Sequence, residues 1–316
     1  MNSSFWGRKE LTDAPLVYGT LPLGPLQANL DAEEGGALIR HALEQGVRWL
    51  DTAELYGTYA HLRKGIEGFA GEFRIASKTH ASDAFTARSH VEKALREIQV
   101  DRLDVVHLHG ARLSDPFVER AEVFDELLRL RKEGKIGAIG LSSHYISSIR
   151  KAAAHPDIDF VHPLINKKGM GVLDGGAAEM AEAIAAADKA GKGVYAMKAL
   201  AGGNLIADAL SSLEYVRHLP GVHGVAVGML SEAEIDANIA LFSGEAPDYE
   251  SWRVLQGRQR RLKIMEDFCK GCGQCVPACA SGALSVIEGK VRVDEDNCIL
   301  CGYCAAACPE FIIRVV

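Results

Sequence analysis

Eight cysteines supply the most distinctive chemistry in this chain of 316 residues. All eight lie between residues 269 and 308, and the first 268 residues contain none. They form two runs with the same spacing, C-x2-C-x2-C-x3-C. The runs are Cys269, Cys272, Cys275 and Cys279, then Cys298, Cys301, Cys304 and Cys308. This distribution divides the chain into two chemical units.

The doubled run is typical of iron–sulfur proteins, because in two-cluster ferredoxins the fourth cysteine of each run ligates the other cluster. The spacing therefore predicts two [4Fe–4S] clusters. Cys269, Cys272, Cys275 and Cys308 would bind one cluster, and Cys298, Cys301, Cys304 and Cys279 would bind the other. A reducing cytoplasm disfavours four disulfides, and paired zinc sites seldom use this doubled run. Residues 266–316 are predicted to form a small α+β, ferredoxin-like two-cluster domain, with a short helix and a hairpin around Glu288-Gly289 between the runs.

In the first 265 residues, segments typical of strands alternate with helical segments. Eight strands are predicted, at Leu16–Thr20, Val47–Asp51, Phe73–Thr79, Leu103–His109, Ile136–Ser142, Phe160–Ile165, Gly193–Lys198 and Gly224–Val227. Helices are predicted between them, for example at Ala32–Gln45, Ala84–Ile98, Phe117–Lys132 and Gly176–Ala190, where apolar residues recur every three or four positions. Eight βα repeats favour a (β/α)8 TIM barrel over residues 1–265. A doubly wound sheet is the alternative, but no glycine-rich G-x-G-x-x-G turn follows the first strand.

Four polar residues fall at the carboxyl ends of these strands, where barrel enzymes carry their chemistry. Asp51 and Tyr56 follow the second strand, Lys78 ends the third, and His109 ends the fourth. Each has a simpler explanation as a helix cap, a core aromatic, a solvated strand end or a buried histidine. Their arrival at one rim favours a catalytic interpretation for all four.

At this point the chain resembles the aldo-keto reductases. The resemblance is carried by Asp51-Thr-Ala-Glu-Leu-Tyr56-Gly57, by Ala76-Ser-Lys78 and by Asp104-Val-Val-His-Leu-His109. Ile139-Gly-Leu-Ser142, Met197-Lys-Ala-Leu-Ala-Gly-Gly203 and the segment from Gly228 to Asn238 support it by their order and spacing. It covers roughly residues 10 to 245, and the chain resembles the subgroup with a C-terminal two-cluster ferredoxin domain.

The resemblance implies reduction of an aldehyde or ketone to an alcohol by NADPH or NADH. Tyr56 would donate the proton to the carbonyl oxygen. A neighbouring Lys78 cation would lower the pKa of Tyr56, since it attracts the phenolate. Asp51 would hold Lys78, and His109 would orient the substrate oxygen. His107, two residues earlier on the same strand, is interpreted as structural.

The resemblance also implies which residues contact the nicotinamide cofactor. Ser142 and Ser143 would meet the carboxamide, with His162 where glutamine is common and Met197 where other members stack a tyrosine. The remaining predicted contacts are Gly19, Thr20, Lys198, Gly202, Gly203, Gly228 and Asn238. Gly228 and Glu234 occupy positions where many NADPH-using members have a lysine and an arginine. Since a carboxylate repels a phosphate, either NADH is preferred or other groups such as Lys198 bind the 2′-phosphate.

A second functional class stays open, because hydride transfer moves two electrons together whereas an iron–sulfur cluster moves one. A flavin commonly mediates between these regimes, and no flavin motif is evident. The chain could therefore be an electron-transfer or redox-sensing protein that uses the barrel as a docking platform. From Glu266 onward it carries seven acidic and four basic residues. A solvated surface explains this charge more simply, and an acidic face also suits a basic redox partner protein.

Composition limits the remaining classes of function. The net charge of −7 argues against nucleic-acid and membrane-surface binding, which need basic patches. No apolar run approaches the ~20 residues of a membrane-spanning helix. The segment MNSSFWGRKELTD lacks the apolar core of a secretory signal, so a cytoplasmic protein is expected.

Overall fold

The eight predicted strands form a closed parallel barrel in sequence order. The computed structural model describes residues 15–257, 261–279, 281–298 and 303–316. The barrel strands are β1 (Leu16–Gly19), β2 (Trp49–Asp51), β3 (Arg74–Thr79), β4 (Leu103–His109), β5 (Ile136–Ser143), β6 (Phe160–Pro163), β7 (Gly193–Ala196) and β8 (Gly224–Val227). Pairing of β1 with β8 closes the ring. The predicted TIM barrel is confirmed, and most strands are shorter than predicted by one or two residues at an end.

Helices surround the barrel and connect its strands. They are α1 (Ala32–Glu44), α2 (Tyr59–Ile66), α3 (Ala84–Ile98), α4 (Pro116–Glu119), α5 (Ala121–Lys132), α6 (Ile146–Ala154), α7 (Ala177–Lys189), α8 (Ala209–Arg217), α9 (Glu232–Phe242) and α10 (Tyr249–Gln256). Capping fixes two of the starts, since Asp31 accepts from the Glu34 amide and Asp83 from the Thr86 amide, each at 2.8 Å. The single helix predicted at Phe117–Lys132 is instead two helices, because the backbone at Arg120 leaves the helical region.

The barrel strands are buried on both faces. The interior is filled by a layer of side chains from β1 to β7, made up of Val17, Trp49, Ala76, Val105, Ala138, Phe160 and Tyr195. Burial on both faces explains why the strands read as nearly continuous apolar runs in the sequence. Among these side chains only Tyr195 carries a hydroxyl.

Strand register brings polar residues into a row at the carboxyl end of the barrel. His109 on β4 pairs with Ser142 on β5, and Ser142 pairs with His162 on β6. One step deeper, Lys78 on β3 pairs with His107 on β4. Because paired residues point to the same face of a sheet, the side chains of each row project together.

The cysteine-rich region forms two small antiparallel sheets and a short helix. Strands β10 (Leu284–Ile287) and β11 (Lys290–Val293) form a hairpin that turns at Glu288-Gly289, as predicted. The short helix predicted before it is wrong, since within residues 281–298 only the hairpin is regular; α11 (Tyr303–Ala307) comes after it. Strand β9 (Leu262–Ile264) pairs with β12 (Ile313–Val315). The boundary at residues 265 and 266 stays a prediction, although β9, which precedes it, pairs with the last strand.

The core of the cysteine-rich region continues into the mouth of the barrel. Phe311, Ile313 and Val315 belong to the same buried cluster as Leu164 and Met197, which follow β6 and β7. Gly171 has a φ of 84° and lies so close to Phe311 that an added Cβ would be 2.7 Å from the ring. The region therefore packs directly on the carboxyl end of the barrel.

Candidate active site and cluster-binding module

Asp51 and Lys78 form a buried ion pair at the barrel mouth. Lys78 Nζ lies 2.5 Å from Asp51 Oδ1 and donates to the Thr52 carbonyl at 2.8 Å. Burial alone would lower the pKa of Lys78, but attraction to Asp51 and Tyr56 outweighs it and leaves this pKa above its ordinary value. Lys78 is therefore a fixed cation beneath Tyr56.

Tyr56 lies at the end of a 3-10 turn, Glu54–Tyr56, that follows β2. Gly57 ends this turn in the left-handed region at φ 65°, and a Cβ added to it would lie 3.2 Å from the Pro25 side chain. Lys78 Nζ lies 4.9 Å from the centre of the Tyr56 ring. Burial raises the pKa of Tyr56, while Lys78 acts in the opposite direction. Lys78 thus acts with the predicted sign, but the predicted net lowering of the pKa does not occur, because the loss of solvation is the larger effect.

His109 ends β4 on the same rim and is held neutral. Burial, followed by the charges of Lys78 and Lys198, lowers its pKa to about 3. A neutral imidazole can donate an N–H to a carbonyl oxygen, but it does not carry a spare proton at neutral pH. This electronic state suits the predicted role of orienting the substrate.

Tyr195 joins the ion pair to two histidines, and sequence reasoning missed it. Its hydroxyl donates to Asp51 Oδ2 at 2.9 Å and lies 2.6 Å from His107 Nε2. Since the single Tyr195 proton goes to Asp51, His107 Nε2 must carry the hydrogen that Tyr195 accepts. Burial holds the pKa of His107 well below its ordinary value, which agrees with a neutral ring. The structural role of His107 stays a prediction, and Gly140 provides the space for its ring.

His162 stacks on Tyr195, with ring centres 4.1 Å apart. Its Nδ1 lies 2.7 Å from the Tyr195 carbonyl, so Nδ1 carries the hydrogen and Nε2 has a free lone pair. Burial keeps the pKa of His162 well below its ordinary value. His162 Nε2 is therefore a neutral hydrogen-bond acceptor at a position where the resemblance predicts a contact with the cofactor.

A cavity of about 330 Å³ opens at the mouth of the barrel. Asp51 and Tyr56 line it, together with seven of the predicted cofactor contacts. These seven are Gly19, His162, Met197, Lys198, Gly202, Gly203 and Gly228. Leu21, Pro22 and Gln27, which follow β1, also line it, whereas Gly171 in the loop after β6 packs on Phe311.

The other four predicted cofactor contacts differ in what their side chains already bind. Thr20 lies 2.9 Å from Thr58 Oγ1 and 3.0 Å from the Asp51 carbonyl, and Ser143 Oγ donates to the Gly110 carbonyl at 3.0 Å. Ser142 Oγ and Asn238 Oδ1 are buried without a hydrogen-bond partner in the part of the chain that the structure describes. Buried polar atoms are rarely left unpaired. Ser142 Oγ and Asn238 Oδ1 can therefore form hydrogen bonds with a ligand, whereas the hydroxyls of Thr20 and Ser143 are already hydrogen-bonded within the protein.

The last strand also lines the cavity, which the sequence did not predict. Arg314, Val315 and Val316 belong to the lining. Gly202 and Gly203 have φ values of 66° and 93°, and a Cβ on Gly203 would lie 1.8 Å from the Val315 carbonyl oxygen. Gly202 and Gly203, which the resemblance places against the cofactor, therefore also leave the space that β12 occupies.

Four of the cysteines line one small pocket, in the crossed combination that the spacing predicts. They are Cys269, Cys272, Cys275 and Cys308. Burial raises the pKa of Cys275, and negative charge on the other three thiols adds to the rise. Cys279, Cys298 and Cys304 belong to the same core as Cys269, Cys275 and Cys308, and Cys301 lies outside the described residues. Free thiols are present at Cys269, Cys272, Cys275, Cys279, Cys298 and Cys308, which fits metal ligation rather than disulfides.

The comparisons with known proteins agree with this arrangement. Residues 15–208 match the model of the aldo/keto reductase family, and residues 258–312 match that of the 4Fe-4S dicluster domain. The chain belongs to the aldo/keto reductase family. This aldo/keto reductase is therefore an oxidoreductase that carries a dicluster domain next to its barrel.

Relatives and solved structures extend the likeness over most of the barrel. The uncharacterized oxidoreductase YrpG of Bacillus subtilis is 29% identical over 236 residues, which cover 67% of this chain and 70% of YrpG. The rat aflatoxin B1 aldehyde reductase member 2 is 30% identical over 149 residues, 43% of this chain and 40% of that protein. A Pseudomonas aeruginosa protein assigned to the aldo-keto reductases shares 27% identity with a TM-score of 0.61, over 73% of this chain and 89% of its own.

Another neighbour shows the fold alone at 20% identity. It is an aldo-keto reductase from Klebsiella pneumoniae in complex with NADPH, with a TM-score of 0.59 over 78% of this chain and 92% of its own. Within the described ranges of this aldo/keto reductase, no helix combines the length and apolar character needed to cross a membrane.

Proposed function

We propose that this aldo/keto reductase interconverts an aldehyde or ketone with an alcohol, using NADPH or NADH, with Tyr56 as the proton donor. The observation that carries the proposal is the placement of Tyr56 on the cavity wall, with the Lys78 cation 4.9 Å from its ring. A bound nicotinamide supplies the hydride for the carbonyl carbon. The protein groups have to bind the developing oxyanion and protonate it.

Proton transfer from Tyr56 is supported by the charges beneath it. The raised pKa of Tyr56 keeps its hydroxyl protonated at neutral pH. An alkoxide is a stronger base than a phenolate, so the proton moves downhill once the oxyanion forms. Lys78 then stabilises the phenolate that remains, and Asp51 keeps Lys78 in place. His109, neutral and on the same rim, donates its N–H to the substrate oxygen.

The residues around the cavity fit a nicotinamide cofactor. The unpaired Ser142 hydroxyl and the lone pair of His162 Nε2 match the donor and acceptor of a carboxamide. The unpaired Asn238 Oδ1 offers a further acceptor near α9. A volume of about 330 Å³ lies at the lower end of the range for small-molecule sites. Thr20 and Ser143 stay predictions that their existing hydrogen bonds do not favour.

The thiols fit two [4Fe–4S] clusters. Cys269, Cys272, Cys275 and Cys308 would hold the first, and Cys279, Cys298, Cys301 and Cys304 the second. Amide-to-sulfur hydrogen bonds accompany both sets, from Gly271 to Cys269 at 3.4 Å and from Ala283 to Cys279 at 3.2 Å. Such bonds tune the reduction potential of a cluster. Bound iron would neutralise the negative charge of the thiolates near Cys275.

The test uses protein purified without oxygen, with its clusters retained. NADPH or NADH should be oxidised in the presence of aldehydes, and Tyr56→Phe should lose this activity by a factor of at least about 100, as expected for removal of a general acid. Tyr249→Phe is the matched control, since Tyr249 is 72% exposed. Equal turnover in Tyr56→Phe and the wild type would reject the mechanism.

A second function, electron transfer to a partner protein, is supported by one observation. Cys272 is exposed, whereas Cys269 and Cys275 of the same proposed set are buried. A cluster held there would have one corner near the surface, where a partner could exchange electrons with it. Reversible one-electron reduction seen by paramagnetic resonance would support this function. Cysteine-to-serine variants that lose the clusters but keep full reductase activity and stability would exclude an obligatory transfer step.

A further inference from the structure

Arg314, on strand β12, is a buried cation at the wall of the catalytic cavity. It is 4% exposed and lines the cavity together with Tyr56 and Lys198. One terminal nitrogen, Nη1, donates to the backbone carbonyls of Phe311 and Ile313. Its Nε has no hydrogen-bond partner, and Arg314 forms no ion pair with any carboxylate in the described part of the chain. A buried arginine without a counter-ion is unfavourable unless a ligand completes its bonding.

Lys198 is a second basic residue in the wall of the same cavity. The Nζ of Lys198 and the guanidinium carbon of Arg314 lie 5.2 Å and 5.1 Å from the centre of the Phe311 ring. Lys198 Nζ also lies 2.9 Å from His144 Nε2, and its backbone has a φ of 61°, which is unusual for a residue with a side chain. Burial, and then repulsion by Arg314, holds the pKa of Lys198 well below its ordinary value. The two groups thus repel each other, and a bound anion would relieve this repulsion.

Both cations act on the catalytic residues. The charge of Arg314 favours the phenolate form of Tyr56, and the charge of Lys198 disfavours protonation of His109. An anion bound by the pair would therefore lie near the reacting carbonyl. The Arg314 side chain also lies against Gly202, one of the residues that the resemblance places against the cofactor. The shared chemistry is an oxyanion, and its two sources are substrate and cofactor.

We propose that Arg314 and Lys198 bind a carboxylate of the substrate, so that the preferred substrates are aldehydes or ketones carrying a carboxylate. A guanidinium with an unused Nε can bind a carboxylate through parallel hydrogen bonds, and a lysine adds a point charge. The inference rests on the proposed reductase function and names its substrate class. It also makes the cysteine-rich region part of the substrate site, because Arg314 belongs to β12.

The kinetic test compares an aldehyde that carries a terminal carboxylate with the methyl ester of the same compound. The wild type should prefer the carboxylate. Arg314→Gln should lower the ratio of kcat/KM for the carboxylate to kcat/KM for the ester by about 10- to 100-fold, the loss typical of a charge-assisted hydrogen bond, because any effect of the Arg314 charge on Tyr56 is common to both compounds. Arg253→Gln is the matched control, since Arg253 is exposed and paired with Glu250 on α10. Lys198→Met is the second variant if Arg314→Gln does not fold with its clusters.

A binding measurement separates substrate from cofactor. Calorimetric titration with glutarate, a non-reacting dicarboxylate, should show binding to the wild type that Arg314→Gln weakens, with unchanged affinity for NADPH and NADH. Equal losses for the carboxylate and the ester would overturn the inference, because they indicate a structural role. A loss confined to cofactor affinity would also overturn it and assign the oxyanion to the cofactor.

Failure of the substrate class can be told apart from failure of the reductase function. If the wild type reduces both aldehydes with equal kcat/KM and does not bind glutarate, only the substrate class is overturned. If it reduces neither aldehyde with either cofactor and does not bind glutarate, both proposals are rejected.

Discussion

The hydroxyl of Tyr195 on β7 donates a hydrogen bond of 2.9 Å to Asp51 Oδ2 on β2, across the interior of the barrel. Asp51 Oδ1 accepts from Lys78, so both carboxylate oxygens are occupied and the carboxylate cannot rotate. The orientation of Lys78 beneath Tyr56 therefore depends on a tyrosine at the opposite side of the barrel core.

Tyr195→Phe should reduce turnover without abolishing it. Loss of the bond to Asp51 frees the carboxylate and loosens Lys78, so we expect kcat to fall by about 10-fold, the cost of one charged hydrogen bond, with little change in KM. Tyr59→Phe is the control, since it also removes a buried hydroxyl, one that lies 3.4 Å from Ser77 Oγ. The ratio of kcat values in the two variants is the measurement. Similar values would show that the Tyr195–Asp51 bond does not position Lys78.

Ionisation of His109 should not make the activity depend on pH near neutrality. With a pKa of about 3, it stays neutral above pH 5, and the raised pKa of Tyr56 keeps the phenol protonated beyond pH 9. We expect kcat for carbonyl reduction to be flat between these limits. A limb near the ordinary histidine pKa of about 6.5 that disappears in His109→Gln would contradict the assignment.

The depressed pKa of His109 also predicts that the folded state loses stability in acid. An unfolded chain binds a proton at His109 near pH 6.5, while the folded chain binds it only near pH 3. The unfolded state therefore gains protons first, and the free energy of unfolding should fall as the pH drops from 6.5 toward 3. His109→Gln should weaken this dependence, as measured by apparent melting midpoints. His218→Gln, at an exposed position, should not change it.

The crossed ligation can be tested by iron content. Cys308→Ser and Cys269→Ser should remove the same cluster, so each variant, and the double variant, should retain about four of about eight iron atoms. Cys308→Ser combined with Cys279→Ser should lose both clusters. Iron analysis and visible absorption measure the result. Additive losses in the Cys269/Cys308 pair would place the two thiols on different clusters.

Glu234 should disfavour NADPH relative to NADH. It lines the cavity at the position where the resemblance places the 2′-phosphate, and its carboxylate accepts from the Leu230 amide at 2.7 Å. Glu234→Gln keeps an acceptor for that amide but removes the charge. We expect the KM for NADPH to fall by several-fold, as for loss of one partly screened like charge, with little change for NADH. Glu232→Gln, on the same first turn of α9, is the control. A matching change for both cofactors would place Glu234 away from the 2′-phosphate.

The barrel could be predicted because parallel strands buried on both faces leave apolar runs of characteristic length. The break at Arg120 was missed, since the apolar spacing continues through it while the backbone does not. The short helix predicted before the Glu288-Gly289 hairpin was wrong, because small residues there form turns around the thiols.

The candidate site could be predicted where residues lie at strand ends, as Asp51, Lys78 and His109 do. Tyr195 was missed because a tyrosine in an apolar strand has the same pattern as a core aromatic. Arg314 was missed because its contact with the cavity depends on how two separately folded cores meet, and no local spacing encodes that contact.

The position of β12 links cluster assembly to the shape of the catalytic cavity, and this link does not depend on electron transfer. In the proposed arrangement, cluster assembly holds β12 against Gly202 and Gly203, since thiol-rich modules of this kind fold around their metal. A chain without iron would leave the cavity open on that side. The supply of iron and sulfide would then set how much of this reductase is active, even if neither cluster ever changes its oxidation state.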